Sequence, residues 1–194
     1  MKKSTVAVTV ILLVVIVGVV GVFAFLTGKA RTESLEAAMT PVQKVLAVDL
    51  DRSYPGTVKE VVKLYTEIEK CFYNEDCTEE EIEQLGMQAR KLYDDELLAA
   101  NDVDTYLIRL KTDIQNIRNA KKRLNSVAVA SAANVETFTD DGYTFARIYC
   151  GYTVKEGNKA SASEGRVFLL RRDENRRWKI YGWESSDLVN PGGN

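Results

Sequence analysis

The chain has 194 residues, of which 45% are hydrophobic, a formal net charge of −2 and no histidine. That length accommodates one ordinary domain plus an appendage, and the missing imidazole excludes Ser-His and Cys-His nucleophilic pairs together with imidazole metal sites. Residues 32–194 are net acidic, so their long-range field repels nucleic acid, and no nucleic-acid partner is expected.

The appendage comes first. Val6 to Leu26 reads VAVTVILLVVIVGVVGVFAFL, twenty-one residues without a charge, which as a helix spans roughly 31 Å, the thickness of a bilayer core. A cleavable signal peptide competes, with Lys2 and Lys3 as its charged start, but its apolar region is shorter and ends in small residues, whereas Phe23, Phe25 and Leu26 stand here. Residues 1–31 therefore read as a cytoplasmic tail and transmembrane anchor. The two lysines before the span favour a single-pass protein of the cell membrane, N-terminus cytoplasmic and C-terminal domain extracytoplasmic, with residues 6–26 as the membrane contact.

Residues 32–56 read as a stalk containing a short helix, N-capped by Thr40 with Pro41 in its first position. Val58, Val61, Val62, Tyr65, Ile68 and Phe72 recur at three- and four-residue spacings, which predicts an amphipathic helix over 57–73. Thr78 and Glu81 form a capping box for a second helix carrying Ile82, Leu85, Ala89 and Leu92. A third is predicted over 104–124, with Leu107, Leu110, Ile114, Ile117 and Leu124 in one stripe.

From Val127 the period changes to runs rich in Val, Phe, Tyr and Ile, broken at Asp140-Asp141-Gly142, Glu156-Gly157-Asn158 and Asp173-Glu174-Asn175. Four antiparallel strands are predicted, at 127–138, 143–155, 165–172 and 177–184. Helices followed by strands make the α+β class, here three helices packed on a curved four-stranded antiparallel sheet. The domain is placed at 57–187 and a flexible tail at 188–194. Residues 32–104 carry 7 bases and 18 acids while 105–194 carry 15 and 10, so the helical and strand halves attract each other.

A helical hairpin and a long helix followed by a meander ending in WKIYGWE resemble the NTF2-like (cone) fold over about residues 57–184. More specifically, VQKVLAVDL, YPGTVKEVVKLY, CFYNEDCTEEE and RRDENRRWKIYGWE resemble an uncharacterised family of single-pass, membrane-anchored proteins from Gram-positive bacteria. That likeness implies a location and an architecture and no known activity. One departure stands out: many NTF2-like domains have a short strand between their second and third helices, and LLAANDVDT leaves little room for it.

No phosphate loop, calcium loop or zinc-spaced cysteine set occurs, and no cofactor or metal is expected. By resemblance, an enzyme of this fold would use a buried carboxylate in the cone beside pocket tyrosines, for which Tyr65 and Tyr93 are the candidates. Asp94, Asp95 and Glu96 read instead as a solvated acidic face. Cys71 and Cys77 flank a turn and are either a disulfide closing a small loop or two free thiols. Cys150 alternates with Ala146, Ile148, Tyr152 and Val154 on the core face, as a small buried apolar residue.

Arg171, Arg172, Arg176 and Arg177 surround the last turn as candidate anion contacts, or as a solvated tip paired with the acidic helices. Alternation puts Trp178 and Ile180 on one face of the last strand, and Tyr181 and Trp183 on the other. Tyr143, Phe145, Arg147 and Tyr149, joined by Tyr181 and Trp183, then form an aromatic interface on the outer face of the sheet. A binding or assembly module without catalysis is expected, its partner an envelope protein, a second copy in a homodimer, or a small apolar ligand. The rival is the carboxylate enzyme.

Overall fold

The computed structural model describes residues 38–187. The expected anchor at 6–26, the residues around it up to 37 and the tail at 188–194 lie outside these. Among the described residues no helix is long and apolar enough to cross a membrane.

Among the described residues five helices precede the sheet: α1 Pro41–Leu46, α2 Val58–Asn74, α3 Glu79–Arg90, α4 Asp95–Ala99 and α5 Val103–Asn119. Both long hairpin helices start in reciprocal capping boxes, Thr57 with Glu60 and Thr78 with Glu81, so two otherwise orphaned N–H groups are satisfied at each. The α3 helix ends at Arg90, earlier than its apolar stripe suggests. Leu92, Tyr93 and Asp94 run extended beside Ile180, which donates to the Leu92 carbonyl and accepts from the Asp94 N–H, both at 2.8 Å. The short strand thus exists as a single parallel bridge, placed just before the segment that seemed too short for it. The α5 helix stops at Asn119 because Lys121 takes a left-handed conformation (φ 51°) and turns the chain back. Leu124, expected in that helix, is a buried strand residue.

The strands are β1 Lys122–Val129, β2 Glu136–Asp140, β3 Tyr143–Glu156, β4 Ala162–Arg172 and β5 Trp178–Ser186, in one curved antiparallel sheet of order β1-β3-β4-β5 with β2 also on β3. The expected first strand is therefore two. A short 3₁₀ turn at Ala132–Asn134 interrupts it, with β1 paired along the second half of β3 and β2 along the first. Asp141 and Gly142, both at positive φ, close the β2–β3 hairpin.

One irregularity decides the faces of β5. Leu170 pairs with Ile180, whereas Leu169 pairs with Gly182, so Tyr181 is an extra, bulged residue. Simple alternation would put Trp183 beside Tyr181 on the outer face. The bulge reverses it: Trp183 pairs with Phe168 and joins Ile180 on the concave, helix-facing side.

That concave side is the core. Val61, Val62, Ile68, Leu85 and Leu92 meet Ala146, Ile148, Cys150, Phe168, Leu170 and Ile180, all fully buried; each large apolar side chain so buried contributes roughly 1.5–3 kcal/mol. The segment expected as a stalk belongs here as well. Val42, Val45 and Leu50 are buried in the same cluster, and the chain forms one compact unit from Pro41 onward with its own core, so the domain begins there and not at residue 57.

Candidate functional site

The two pocket tyrosines do come together. Periodicity on α2 aims Tyr65 at the sheet, and the turn after α3 aims Tyr93 the same way. Their hydroxyls lie 3.4 Å apart and their rings 5.9 Å. Trp183 packs on both, at 5.5 and 6.0 Å between centroids, and Tyr106 of α5 stands edge-on to Tyr93 at 6.2 Å. Burial pushes the Tyr65, Tyr93 and Tyr106 hydroxyls above the ordinary tyrosine range. Beside this cluster, between α2 and α5, opens a cleft of about 310 Å³ that is also lined by Phe72, Tyr73, Leu97, Leu110, Ile114 and Ile117.

At the cleft edge sits a charged group that sequence reasoning missed. Glu69, one turn after Tyr65, accepts from Arg166 at 2.6 Å and from the Tyr152 hydroxyl at 2.8 Å, and the Arg166 guanidinium lies 4.4 Å over the Tyr152 ring. Burial, the largest single influence, opposes the Arg166 charge, but Glu69, Tyr152 and Tyr65 together raise the guanidinium pKa; burial, then Glu69, raises that of Tyr152. A signal was present in the sequence: Arg166 alternates with Phe168 and Leu170, a charge on a core face, and such a charge demands a partner.

The acidic triplet is a solvated face only at Asp95 and Glu96. Asp94 is only 3% exposed and holds Arg171 bidentately, with Nε to Oδ2 at 2.9 Å and Nη2 to Oδ1 at 2.6 Å, while its Oδ1 also caps α4 by accepting from the Glu96 N–H. Arg171 donates further to Glu96 at 2.5 Å, and Glu96 accepts from the Tyr181 hydroxyl at 2.8 Å. The Tyr181 hydrogen bond first, then Arg171, lower the Glu96 carboxyl below the ordinary range. Of the triplet, Asp95 and Glu96 are both exposed.

Arg171 is thus committed to protein carboxylates, the pairing with the acidic helices that stood as the alternative to an anion contact. The other three arginines remain at the hairpin tip without forming one site. Arg172 donates to the Arg176 carbonyl and covers Trp178, Arg177 covers Tyr54 at 5.2 Å, and Arg176 is exposed at a positive φ.

Cys71 and Cys77 are free thiols, so the expected alternative of a bridge is not formed. The α2 helix continues to Asn74 past Cys71, and the Cys77 thiol donates to the Cys71 carbonyl oxygen at 3.6 Å instead. Burial pushes the Cys71 thiol up to about 12 and raises that of Cys77. Cys150 is fully buried on the core face and likewise pushed up to about 12 by burial.

Five of the six expected interface residues share the outer sheet face. Phe145 stacks on Phe138 at 5.7 Å and meets Tyr181 edge-on at 5.5 Å; Arg147 lies over Phe138 and pairs with Glu136; Arg171 lies over Tyr143 and Tyr181. Tyr149 alternates with them. Trp183 is the exception, because of the bulge. Phe138 was overlooked: it is 37% exposed and Tyr143 50%, and among the described residues no helix has been placed against them. Phe145 is buried beneath its aromatic neighbours.

No group of His, Cys, Asp or Glu able to hold a metal occurs among the described residues. No curated protein matches the sequence. A family profile does match, over residues 1–183 and hence over nearly the whole chain, and by that match the protein belongs to the family defined by the domain of unknown function DUF6715.

Proposed function

We propose that this protein is a non-catalytic binding and assembly module of the NTF2-like type, tethered in the cell membrane by residues 6–26 with its domain outside the cytoplasm, and that it pairs with a second copy through the outer face of its sheet. The observation carrying this reading is the contrast between the carboxylates and the aromatics. Glu69 and Asp94, the acids of the concavity that are withdrawn from solvent, are each bound to an arginine, which leaves neither poised as a free proton acceptor, and Asp113, the other acid on the cleft, is exposed at its rim. Phe138 and Tyr143 meanwhile stand out on an aromatic face with arginines laid across it, the composition of binding hot spots. Helices seated in the concavity of a curved sheet support the cone-type architecture, and tethering in a plane would raise the local concentration of like domains.

Light scattering on residues 38–194 tests the pairing. A concentration-dependent dimer is expected, and Phe138→Glu or Tyr143→Glu should yield a folded monomer, whereas Trp183→Leu should leave the dimer intact because Trp183 faces the other side. A parent that stays monomeric at every concentration sinks the pairing. The tether is tested separately, by protease added to wall-free cells: a C-terminal tag should be digested, and a protected tag reverses the topology.

A further inference from the structure

The concave side carries a second feature that pairing through the outer face does not use. The α5 helix has seventeen residues, yet Ile114 is its only fully buried side chain. It is pinned to α3. A Cβ on Gly86 would lie 2.7 Å from Leu110 Cδ2, so glycine is what lets the two helices approach there, and Arg118 donates to the Cys77 carbonyl at 2.8 Å. Between this helix and α2 lies the 310 Å³ cleft, floored by Tyr65, Tyr93 and Trp183 and walled by Leu110 and Ile117. Half-exposed aliphatic side chains facing an aromatic floor leave apolar surface in water, a cost that an apolar occupant removes.

The charges around this cleft indicate the occupant's head. Glu69 is taken up by Arg166 and Tyr152. At the rim Arg109 and Asp113, one helical turn apart on α5, carry opposite charges that sum to zero without an ion pair between them. The Tyr65 and Tyr93 hydroxyls face each other, and Tyr106 is directed at the Gly86 carbonyl. No net charge is therefore presented to a ligand, and a charged head entering this low-dielectric floor would lose its hydration without finding a counter-charge.

We propose that the cleft between α2 and α5 binds an uncharged ligand with a hydrocarbon tail, of the size of a medium-chain alcohol. The site lies on the opposite side of the sheet from the pairing face, so each stands or falls alone. Residues 38–194, which contain the whole core described above, are titrated with decanol, decanoate and decyltrimethylammonium, each displacing the dye N-phenyl-1-naphthylamine. Decanol should displace it at concentrations at least tenfold below both charged analogues. Ile117→Glu, at a half-exposed position on the cleft wall, should lose dye and decanol binding by about tenfold or more, while Ile108→Glu, on the 66% exposed flank of the same helix, should change nothing. Equal displacement by all three heads overturns the neutral ligand. Failure of dye and decanol to bind, or equal effects of the two glutamate variants, overturns the site.

Discussion

The two faces of this sheet are built from the same strands by the same alternation, and they behave differently. The concave face receives α2, α3 and the turn at Leu92, and Ala146, Ile148, Cys150, Phe168, Leu170 and Ile180 on it are fully buried. The outer face carries as many rings, but Phe138 and Tyr143 remain in water and Phe145 is hidden only by its own neighbours. Aromatic content alone therefore does not mark a core. What marks it is a second layer, since one hydrophobic face of a sheet is stabilising only when another element covers it.

The comparison can be broken most directly by truncating one ring on each face. Phe168→Ala removes a fully buried side chain that touches Tyr65 and Trp183 and should cost about 3–5 kcal/mol, close to the stability of many domains. Phe138→Ala on the outer face should cost under about 1 kcal/mol. Chemical denaturation of the two variants of residues 38–194 measures both; similar losses would mean that the outer face is covered too.

A smaller effect is expected where the faces meet, at the edge clamp of Arg171. Arg171→Ala leaves the Asp94 carboxylate buried without its partner and should cost about 3 kcal/mol, whereas Glu96→Gln touches only the solvent-facing arm. The sign of its pH dependence follows from the depressed Glu96 pKa. The contribution is present above the unfolded-state value, about 4.3, and is lost as pH falls through the lower folded value. The difference in melting temperature between the parent and Glu96→Gln should therefore shrink between pH 7 and pH 3, and a constant difference would show that the Arg171 and Tyr181 contacts do not favour the ionised form.

The smallest signal concerns the thiols. With burial raising all three pKa values, native protein should react with a thiol reagent at pH 8 far more slowly than unfolded protein. Cys150, central in the concave face, should be the last to react; rapid labelling of Cys150 would place it on the outer face and invert the assignment of the sheet.

Much of this architecture was legible beforehand, because its signals are local. The α2 stripe, the Thr78–Glu81 box, the Asp141-Gly142 turn and the alternation around Cys150 all follow from backbone periodicity and capping chemistry, and each appears in the structure. The meeting of Tyr65 with Tyr93 and the grouping of Tyr143, Phe145, Arg147, Tyr149 and Tyr181 follow from the same periods, once the segments are correctly typed.

Tertiary structure alone decided the rest. A single bulged residue at Tyr181 turned Trp183 from an outer-face residue into the lip of the cleft, and no local pattern announces a bulge whose partner is ten or more residues away. Arg171 and Asp94, 77 positions apart, could be matched beforehand only as hairpin arginines and acidic helices in general; β5, by bringing the turn after α3 to the sheet edge, made these two one ion pair. Val42, Val45 and Leu50 read as a stalk because a short helix has no hydrophobic period long enough to declare a core. Their burial comes from the α2 and α3 surfaces they meet, and the close approach of α5 to α3 comes from the glycine at position 86 that sets how closely two helices lie. Propensity, capping and periodicity act within a few residues and were readable, while register, ion pairing and helix spacing depend on partners far along the chain and were not.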